Sequence, residues 1–518
     1  MATNLIGAKV TVPGTSASRT FGEHLSSSVD VRDFGAKGDG TTDDTTAIQA
    51  AVTYACNNQK LLIFSAANTG QFYKISDQIV IPYDTHHWAI RGAGHRAVIK
   101  QMTDNKPFIH FDSLSHDTSG LTNGGFDIAN FQVQWANAQG IANKHAAVIE
   151  FNDGGYADFV LENLENNNGC RCITHQYPGQ TVSRPLNVWG CIFRHIYNAF
   201  SASGAAIYLR SNPTEGLPNI LIHHVYSVQN AGAEELIHLA GATSVVIENV
   251  EQNFGSYTPG FVGWAGSGNI SINGWRLEVF NWLNVGDDSG YFVCLGSGSQ
   301  VTEYSIKNFE MRFNVVNLPS GPKYIARTSG ARLVFDGYFD PGGTMTTGNL
   351  NLFQLSSTDD IVEVGLSRIL NTLIRFFNPS DSFIENITFT GGSHMMRFYK
   401  GSITTSMTDV VNDAPSVIKS QSIVQSGWVW GLNVLLDAAV SAGTITFKVF
   451  KNGTLMDSNF NLAMTSGTTA KKYNEWLKNN NHTGFRVVAG DKIDVRITTT
   501  GTLAGPANAE MVLAIALI

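Results

Sequence analysis

A four-residue unit recurs through the middle of this chain, apolar then polar then usually Asn or Gly then apolar, and no other feature restricts the fold as much. It reads Ile128-Ala-Asn-Phe131, Leu161-Glu-Asn-Leu164, Ile247-Glu-Asn-Val250, Ile272-Asn-Gly-Trp275, Ile306-Lys-Asn-Phe309, Phe335-Asp-Gly-Tyr338 and Ile384-Glu-Asn-Ile387, with Val188-Trp-Gly-Cys191 and Ile222-His-His-Val225 as weaker copies. Most copies lie about 25 to 34 residues apart, and the last gap is close to two such intervals. A second apolar marker precedes the copies, at Ile149, Ile207, Ile237, Val262, Val293, Ile325 and Ile374, with the constant pairings 237/247, 262/272, 325/335 and 374/384. This period, with short strands rather than helices in each repeat, is that of a parallel β-helix, whose stacked coils alternate inward and outward side chains. Asn and Gly fall at the bends, where left-handed backbone costs them little. A leucine-rich solenoid has a comparable period but needs helical halves and a leucine spacing that are missing here.

The start of the stack is marked by Val31 to Val52, VRDFGAKGDGTTDDTTAIQAAV. Gly35 and Gly38–Gly40 demand sharp turns between a strand-like start and a helix. Asp43 and Asp44 offer acceptors to the free N–H groups of that helix, and Ala47, Ile48, Ala51, Val52 and Ala55 form one apolar face. Asp39, Asp43 and Asp44 are therefore expected to be structural. The string resembles the D-F-G-A-x-G-D-G-x-x-D-D-T-x-A-I-Q segment that opens right-handed β-helices of the pectate-lyase-like superfamily, especially bacteriophage tailspikes. That resemblance implies that the helix caps the open end of the solenoid, that the protein is a homotrimer, and that it acts on a bacterial surface polysaccharide.

The repeat ends near residue 400. Residues 401–420 are rich in Ser, Thr and Asp and read as a connection. Beyond it, Thr444 to Phe450 and Lys492 to Ile497 alternate, and Asn452-Gly453 is a hairpin turn, so residues 421–518 are expected to form a β-sandwich. It resembles the jelly-roll-like C-terminal modules of phage tail proteins, which implies trimerisation or sugar binding. Residues 29–400 are assigned to the coils, and residues 1–28, by resemblance, to tail attachment and a linker. The expected fold class is thus all-β: a right-handed parallel β-helix with an N-terminal capping helix, then a C-terminal β-sandwich. Outward apolar or small residues such as Ile192, Phe339 and Ala326 supply a surface for the trimer contact.

Composition narrows the function classes. A net charge of -8 argues against broad affinity for nucleic acid or anionic membrane, and leaves a sugar polymer open. Neither a signal peptide nor a membrane span is legible. The five cysteines are scattered, and Cys170-x-Cys172 lacks the spacing of a zinc pair, so buried thiols and no metal are expected. Gly92-Ala-Gly94 lacks the third glycine of a dinucleotide site, no Gly-x-Ser-x-Gly elbow is present, and no calcium loop or dense aspartate cluster is seen. No cofactor is expected.

The bends set a register, and the register gives outward columns. The first column reads Gln132, Glu165, Ile192, Tyr226, Glu251, Arg276, Glu310, Phe339 and Thr388; a second includes Asn167, Arg194, Asn253, Glu278 and Arg312. Coils stack about 4.8 Å apart, so Glu251 and Glu310 lie in range of the carboxylate separations that glycosidases use, about 5–5.5 Å when retaining and about 6.5–9.5 Å when inverting. Glu235 and Asp288 on adjoining loops complete the candidate acids. Arg276, Arg312, Tyr226, Tyr257, Trp282 and His238 are the candidate substrate-binding groups, because aromatic faces suit pyranose C–H surfaces and polar groups orient hydroxyls. His238 is expected on an outward position, with a plain surface role favoured, and Trp264 and Trp275 in the core. A ladder of surface ion pairs through Glu251, Arg276 and Glu310 is the competing reading of the same residues.

Three functions fit this set. A glycoside hydrolase uses two of the acids; a polysaccharide lyase would use Tyr226, His238 and Arg276 on a uronate; a non-catalytic adhesin would keep the acids paired. By resemblance the hydrolase leads, as a phage tailspike in the virion, assembled in the bacterial cytoplasm and joined to a tail or adaptor protein through its N-terminus.

Overall fold

The computed structural model describes residues 9–11, 18–20, 27–65, 70–94, 97–112, 121–175, 186–198, 204–210, 217–228, 231–232, 234–242, 244–253, 256–257, 261–265, 267–282, 291–295, 300–317, 323–328, 332–340, 350–355, 361–364, 368–369, 374–377, 387–389, 393–400, 403–404, 406–408, 410–411, 421–422, 427–436, 438–456, 461–465, 473–476, 486–506 and 509–517. They are mostly β, with parallel strands in large sheets consistent with a β-helix. No helix among them is long and apolar enough to cross a membrane. The chain divides into two units, residues 1–331 with 341–347, and residues 332–340 with 348–518.

In the first unit each coil contributes one strand to each of two long parallel ladders. The first ladder runs through Ile79–Ile81, Ile109–Phe111, Ala147–Phe151, Arg171–His175, Ile207–Arg210, Ile237–Ala242, Phe261–Ala265, Tyr291–Leu295 and Lys323–Thr328. The second runs through Asp127–Trp135, Val160–Asn167, Cys191–Asn198, Ile220–Val228, Val245–Asn253, Ser267–Trp282 and Gln300–Asn317. Inward residues such as Ile149, Ile207, Ile237, Ile247, Ile272 and Trp275 are buried, as the alternation requires. Each long strand of the second ladder bends at a residue with positive φ: Asn130, Asn163, His195, His224, Asn249, Gly274 and Asn308. Asn, with occasional His and Gly, holds these positions because the left-handed conformation penalises most other side chains.

The register differs from the sequence expectation at three places. Phe193-Arg-His-Ile196, not Val188-Trp-Gly-Cys191, aligns with Leu161 to Leu164. Gly190 and His195 are both left-handed, one at the corner before the long strand and the other at its bend, and the repeat alone does not tell them apart. Tyr197 therefore replaces Ile192 in the outward column. Arg194 precedes the bend and pairs with Glu162 at 2.8 Å. In the first ladder Phe261 rather than Val262 aligns with Ile237, and Ala326 rather than Ile325 aligns with Val293. Ala326 is consequently fully buried and is not part of an outward apolar surface.

The helix α1, Thr45–Asn57, buries Ile48, Ala51, Val52, Ala55 and Cys56. Ile79–Ile81 is the terminal strand of its ladder, and Gln49 satisfies its open edge: Val80 N donates to Gln49 Oε1 at 2.7 Å and Gln49 Nε2 donates to Val80 O at 2.9 Å. An uncovered edge would otherwise present unpaired amides. Asp43 accepts from Thr45 N at 3.0 Å. Asp44 does not cap the helix; it accepts from Lys37 N at 2.7 Å and Gly38 N at 3.0 Å and so braces the glycine turn. Gly38 is required there, since φ is +57° and a Cβ would stand 2.9 Å from the Tyr73 ring. Asp39 accepts from Thr42 N and Thr41 N, which hold its carboxyl far below the usual range.

In the second unit, parallel pairings join Arg332–Phe335 to residues 361–364 and those to residues 387–389. Two antiparallel sheets follow. One contains Ser393–Lys400, Ala509–Leu517, Gly427–Leu436 and Tyr473–Trp476; the other contains Lys492–Ala504, Ala442–Lys451 and Asn461–Thr465. Val429, Leu432, Ile445, Phe447, Val495 and Leu513 belong to one buried core. Ser393–Lys400 falls in the range that the sequence assigned to the coils, yet it pairs antiparallel with Ala509–Leu517. Asn452 and Gly453 both have positive φ and turn the hairpin that pairs Lys451 with Thr454.

Candidate functional site

Residues Tyr226, Glu251, Arg276 and Glu310 stand in register on successive strands of the second ladder. Arg276 gathers three acids. Its Nη2 donates to Glu278 Oε1 at 2.8 Å, Nη1 to Glu251 Oε1 at 3.5 Å, and Nε lies 3.9 Å from Glu310 Oε2. That last separation is too long for a hydrogen bond, and Nε, shielded from solvent, makes none. Asn253 Nδ2 donates to Glu251 Oε1 at 2.8 Å. Side-chain exposure falls from 40% at Glu251 through 28% at Glu310 to 14% at Glu278, with Arg276 at 39%. Arg276 thus sits among three carboxylates in a partly open patch.

The remaining candidates separate from this patch. Glu235 and His238 lie at the other ladder: Glu235 just precedes the strand Ile237–Ala242 and His238 lies within it, its side chain wholly covered, with Nδ1 3.8 Å from Glu235 Oε2. His238 is outward as expected, but the surface role expected for it is wrong. It points away from the coil interior, stacks on Tyr208 with ring centroids 4.3 Å apart, and is covered. A lyase set of Tyr226, His238 and Arg276 is not assembled, since its histidine stands on a different ladder from the other two. Tyr257, Trp282 and Arg312 are described by backbone alone; Tyr257 pairs in register with Trp282, and Glu278 with Arg312. Asp288 lies outside the described residues, as does the side chain of Trp264.

The outward column of the first ladder, His110, Glu150, Thr174, Tyr208 and His238, was not singled out by the sequence analysis. The signal was present in the Ile149-Glu-Phe and Ile109-His-Phe alternations, which place a polar residue outward between two core positions. Buried Glu150 accepts from His145 Nδ1 at 2.6 Å and His110 Nδ1 at 2.8 Å. Burial pushes its carboxyl up, but the two imidazoles outweigh that and hold it below the ordinary range; Glu150 in turn raises His145. His175 Nε2 meets Asp153 Oδ1 at 2.8 Å. Arg171 donates from Nε to Glu234 Oε2 at 2.8 Å and from Nη2 to Glu234 Oε1, and its guanidinium lies 3.6 Å from the Tyr208 ring centroid. Against the burial that pushes Glu234 up, Arg171 keeps it ionised. Cys56, Cys170, Cys172 and Cys191 are buried free thiols. Among the described residues no group of three or more His, Cys, Asp or Glu is arranged to hold a metal.

Residues 28–139 match the family model for rhamnogalacturonase A/epimerase, pectate lyase-like. A glucan 1,3-beta-glucosidase of Cochliobolus carbonum is 46% identical over 57 residues, a stretch that spans 11% of this chain and 7% of that protein. Among solved structures, the tailspike protein of Acinetobacter baumannii phage AM24 is similar at 10% identity, covering 95% of this chain and 83% of that one with a TM-score of 0.38. The A-module of the mannuronan C-5 epimerase AlgE6 of Azotobacter vinelandii is similar at 14% identity, covering 70% of this chain and 98% of that one with a TM-score of 0.41. The matched residues include the loop braced by Asp44 and the helix edge-paired through Gln49.

Proposed function

We propose that this protein is a phage tailspike that binds a bacterial surface polysaccharide and cleaves it by glycosidic hydrolysis at the carboxylates around Arg276. The observation that carries the reading is the convergence of Glu251, Glu278 and Glu310 on one guanidinium along an open strand column. Support for the class comes from the pectate-lyase-like match over residues 28–139 and from the resemblance of Val31 to Val52 to tailspike openings.

The roles follow from distance to the cation. Glu278, closest at 2.8 Å, is assigned to orient Arg276. Glu310, whose carboxylate lies 3.9 Å from Nε, is assigned to deliver a proton to the leaving glycosidic oxygen. Glu251 activates water or attacks the anomeric carbon. In this proposal α1 caps the coil stack, the antiparallel sheets beyond residue 393 form a β-sandwich for trimerisation or sugar binding, and residues 1–28 join the phage tail or an adaptor. The protein is a homotrimer in the virion, assembled in the bacterial cytoplasm, and needs no cofactor.

Digestion of capsule or O-antigen from a susceptible host tests the reaction. Hydrolysis releases new reducing ends with no unsaturated uronate absorbance. An unsaturated product would replace hydrolysis by β-elimination, and binding without any product would make the protein an adhesin with ion-paired acids.

A further inference from the structure

Beside the Arg276 patch, the same sheet face carries five ring side chains to which the proposed reaction assigns no step. Tyr197 and Tyr226 are in register on neighbouring strands, so the outward file reads Glu165, Tyr197, Tyr226, Glu251, Arg276, Glu310. Their ring centroids are 6.3 Å apart. His224 lies 6.0 Å from Tyr197 and 5.0 Å from His195, and His223 lies 6.1 Å from His195 and 6.4 Å from His224. All five are half-buried, so each side chain keeps some surface in solvent. Rings grouped at an open sheet face present more apolar area than scattered single residues would.

Along the outward file the charge is one-sided up to Arg276. Glu165 precedes Tyr197 in the file, and Glu251 follows Tyr226. Glu162, on the other side of the bend, is matched by Arg194 at 2.8 Å. No lysine or arginine stands in the file until Arg276, which three carboxylates already engage. Burial, then the neighbouring His195 and His223, holds His224 below its ordinary value, so the histidine nearest the tyrosines is neutral at neutral pH.

We infer that His195, Tyr197, His223, His224 and Tyr226 form a subsite for an uncharged pyranose segment of a glycan, laid along the direction in which the coils stack and leading to the carboxylates around Arg276. The inference rests on the proposed reading of that patch as the reacting site. Successive strands are about 4.8 Å apart, comparable to the length of one sugar ring, so neighbouring sugars meet neighbouring coils. The apolar C–H face of a neutral pyranose suits an aromatic face. A hexuronate in the same place would lie between Glu165 and Glu251, with the nearby Arg194, in register with His223, already paired with Glu162, and like charges across a contact are penalised.

The test uses the full-length protein on an array of neutral hexose, deoxyhexose and N-acetylhexosamine oligomers beside hexuronate oligomers. Wild type is expected to retain neutral oligomers and not hexuronates. Tyr197→Ala and Tyr226→Ala are each expected to weaken retention about tenfold with melting temperature and assembly mass unchanged, while Tyr226→Phe, which keeps the ring, restores it. Equal retention by both alanine variants, preference for hexuronates, or no retention of any neutral oligomer would overturn the subsite. So would a change of assembly mass without loss of retention, which would assign the face to a contact between copies. Full turnover in Glu251→Gln, Glu278→Gln and Glu310→Gln, with tyrosine-dependent retention intact, would remove the proposed reacting site and leave the subsite standing.

Discussion

Two faces of one coil stack each carry an outward column, one residue per coil in register, and the two columns end in opposite environments. On the second ladder Tyr226, Glu251, Arg276 and Glu310 stay partly open, with Arg276 shared among three acids. On the first ladder Glu150, Thr174 and His238 are buried, and the acids there are matched by His110, His145, His175 and Arg171. Pointing out of a coil is thus not the same as facing solvent. Where the outward face is covered, an acid must be held by a specific partner, because an unpaired buried charge is strongly unfavourable. Where it is open, the same residue type can be left with spare acceptor capacity for a ligand.

The largest contrast is expected from removing the cation on each face. Arg171→Ala leaves Glu234 buried without its partner and is expected to destabilise by about 3–5 kcal/mol, whereas Arg276→Ala on the open face is expected to change stability by about 1 kcal/mol or less. Chemical denaturation of both variants checks this, and equal losses would break the distinction between the faces. Nearly as large is the effect that fixes the register. Phe193 is fully buried and Ile192 is not, so Phe193→Ala is expected to cost about 3–5 kcal/mol and Ile192→Ala about 0.5 kcal/mol or less, read by the same unfolding curves.

A smaller effect should follow pH. The Glu150 carboxyl is lowered in the folded state, so its contribution is present above the ordinary carboxylate value of 4.5 and is lost as pH falls through the folded value. The His145 imidazole is raised, so its contribution is full below 6.5 and is lost as pH rises through the folded value. The pair therefore stabilises most between about 4.5 and 6.5. The difference in melting temperature between wild type and Glu150→Gln is expected to peak in that window, and a difference independent of pH would show that the imidazoles do not carry it. The smallest effect concerns a bend: Asn249→Ala is expected to destabilise by about 1 kcal/mol, with Asn249→Gly close to neutral, because φ at that position is +55°.

The bends were legible because a left-handed residue needs Asn or Gly, and Asn130, Asn163, Asn249, Gly274 and Asn308 fill that need. His195 and His224 do so less openly, which is why the coil at Cys191–Asn198 was read with the wrong register and Tyr197 was missed from the outward file. Off-by-one assignments at Val262 and Ile325 have a similar origin: in a run such as Phe261-Val262 or Ile325-Ala326, two adjacent apolar residues both fit an inward marker. The cluster of Glu251, Arg276, Glu278 and Glu310 was legible because a constant bend position carries the register across coils. The burial of Glu150, Glu234 and His238 was not, since the residues packed against them, such as His145, Arg171 and Tyr208, stand at positions that the repeat does not mark.

The most direct measurement sets the two faces side by side: turnover on a host capsule or O-antigen, with melting temperature, for Glu251→Gln, Glu278→Gln and Glu310→Gln against Glu150→Gln. An amide keeps the shape of the carboxyl but can neither deliver a proton nor activate water, and acid–base action is worth about 10²–10⁴-fold. Loss of turnover on that scale at Glu251 and Glu310 with melting almost unchanged, and loss of stability with turnover largely retained at Glu150, is the predicted result. Full turnover in all three open-face variants, or lost turnover in a still-folded Glu150→Gln protein, would contradict it.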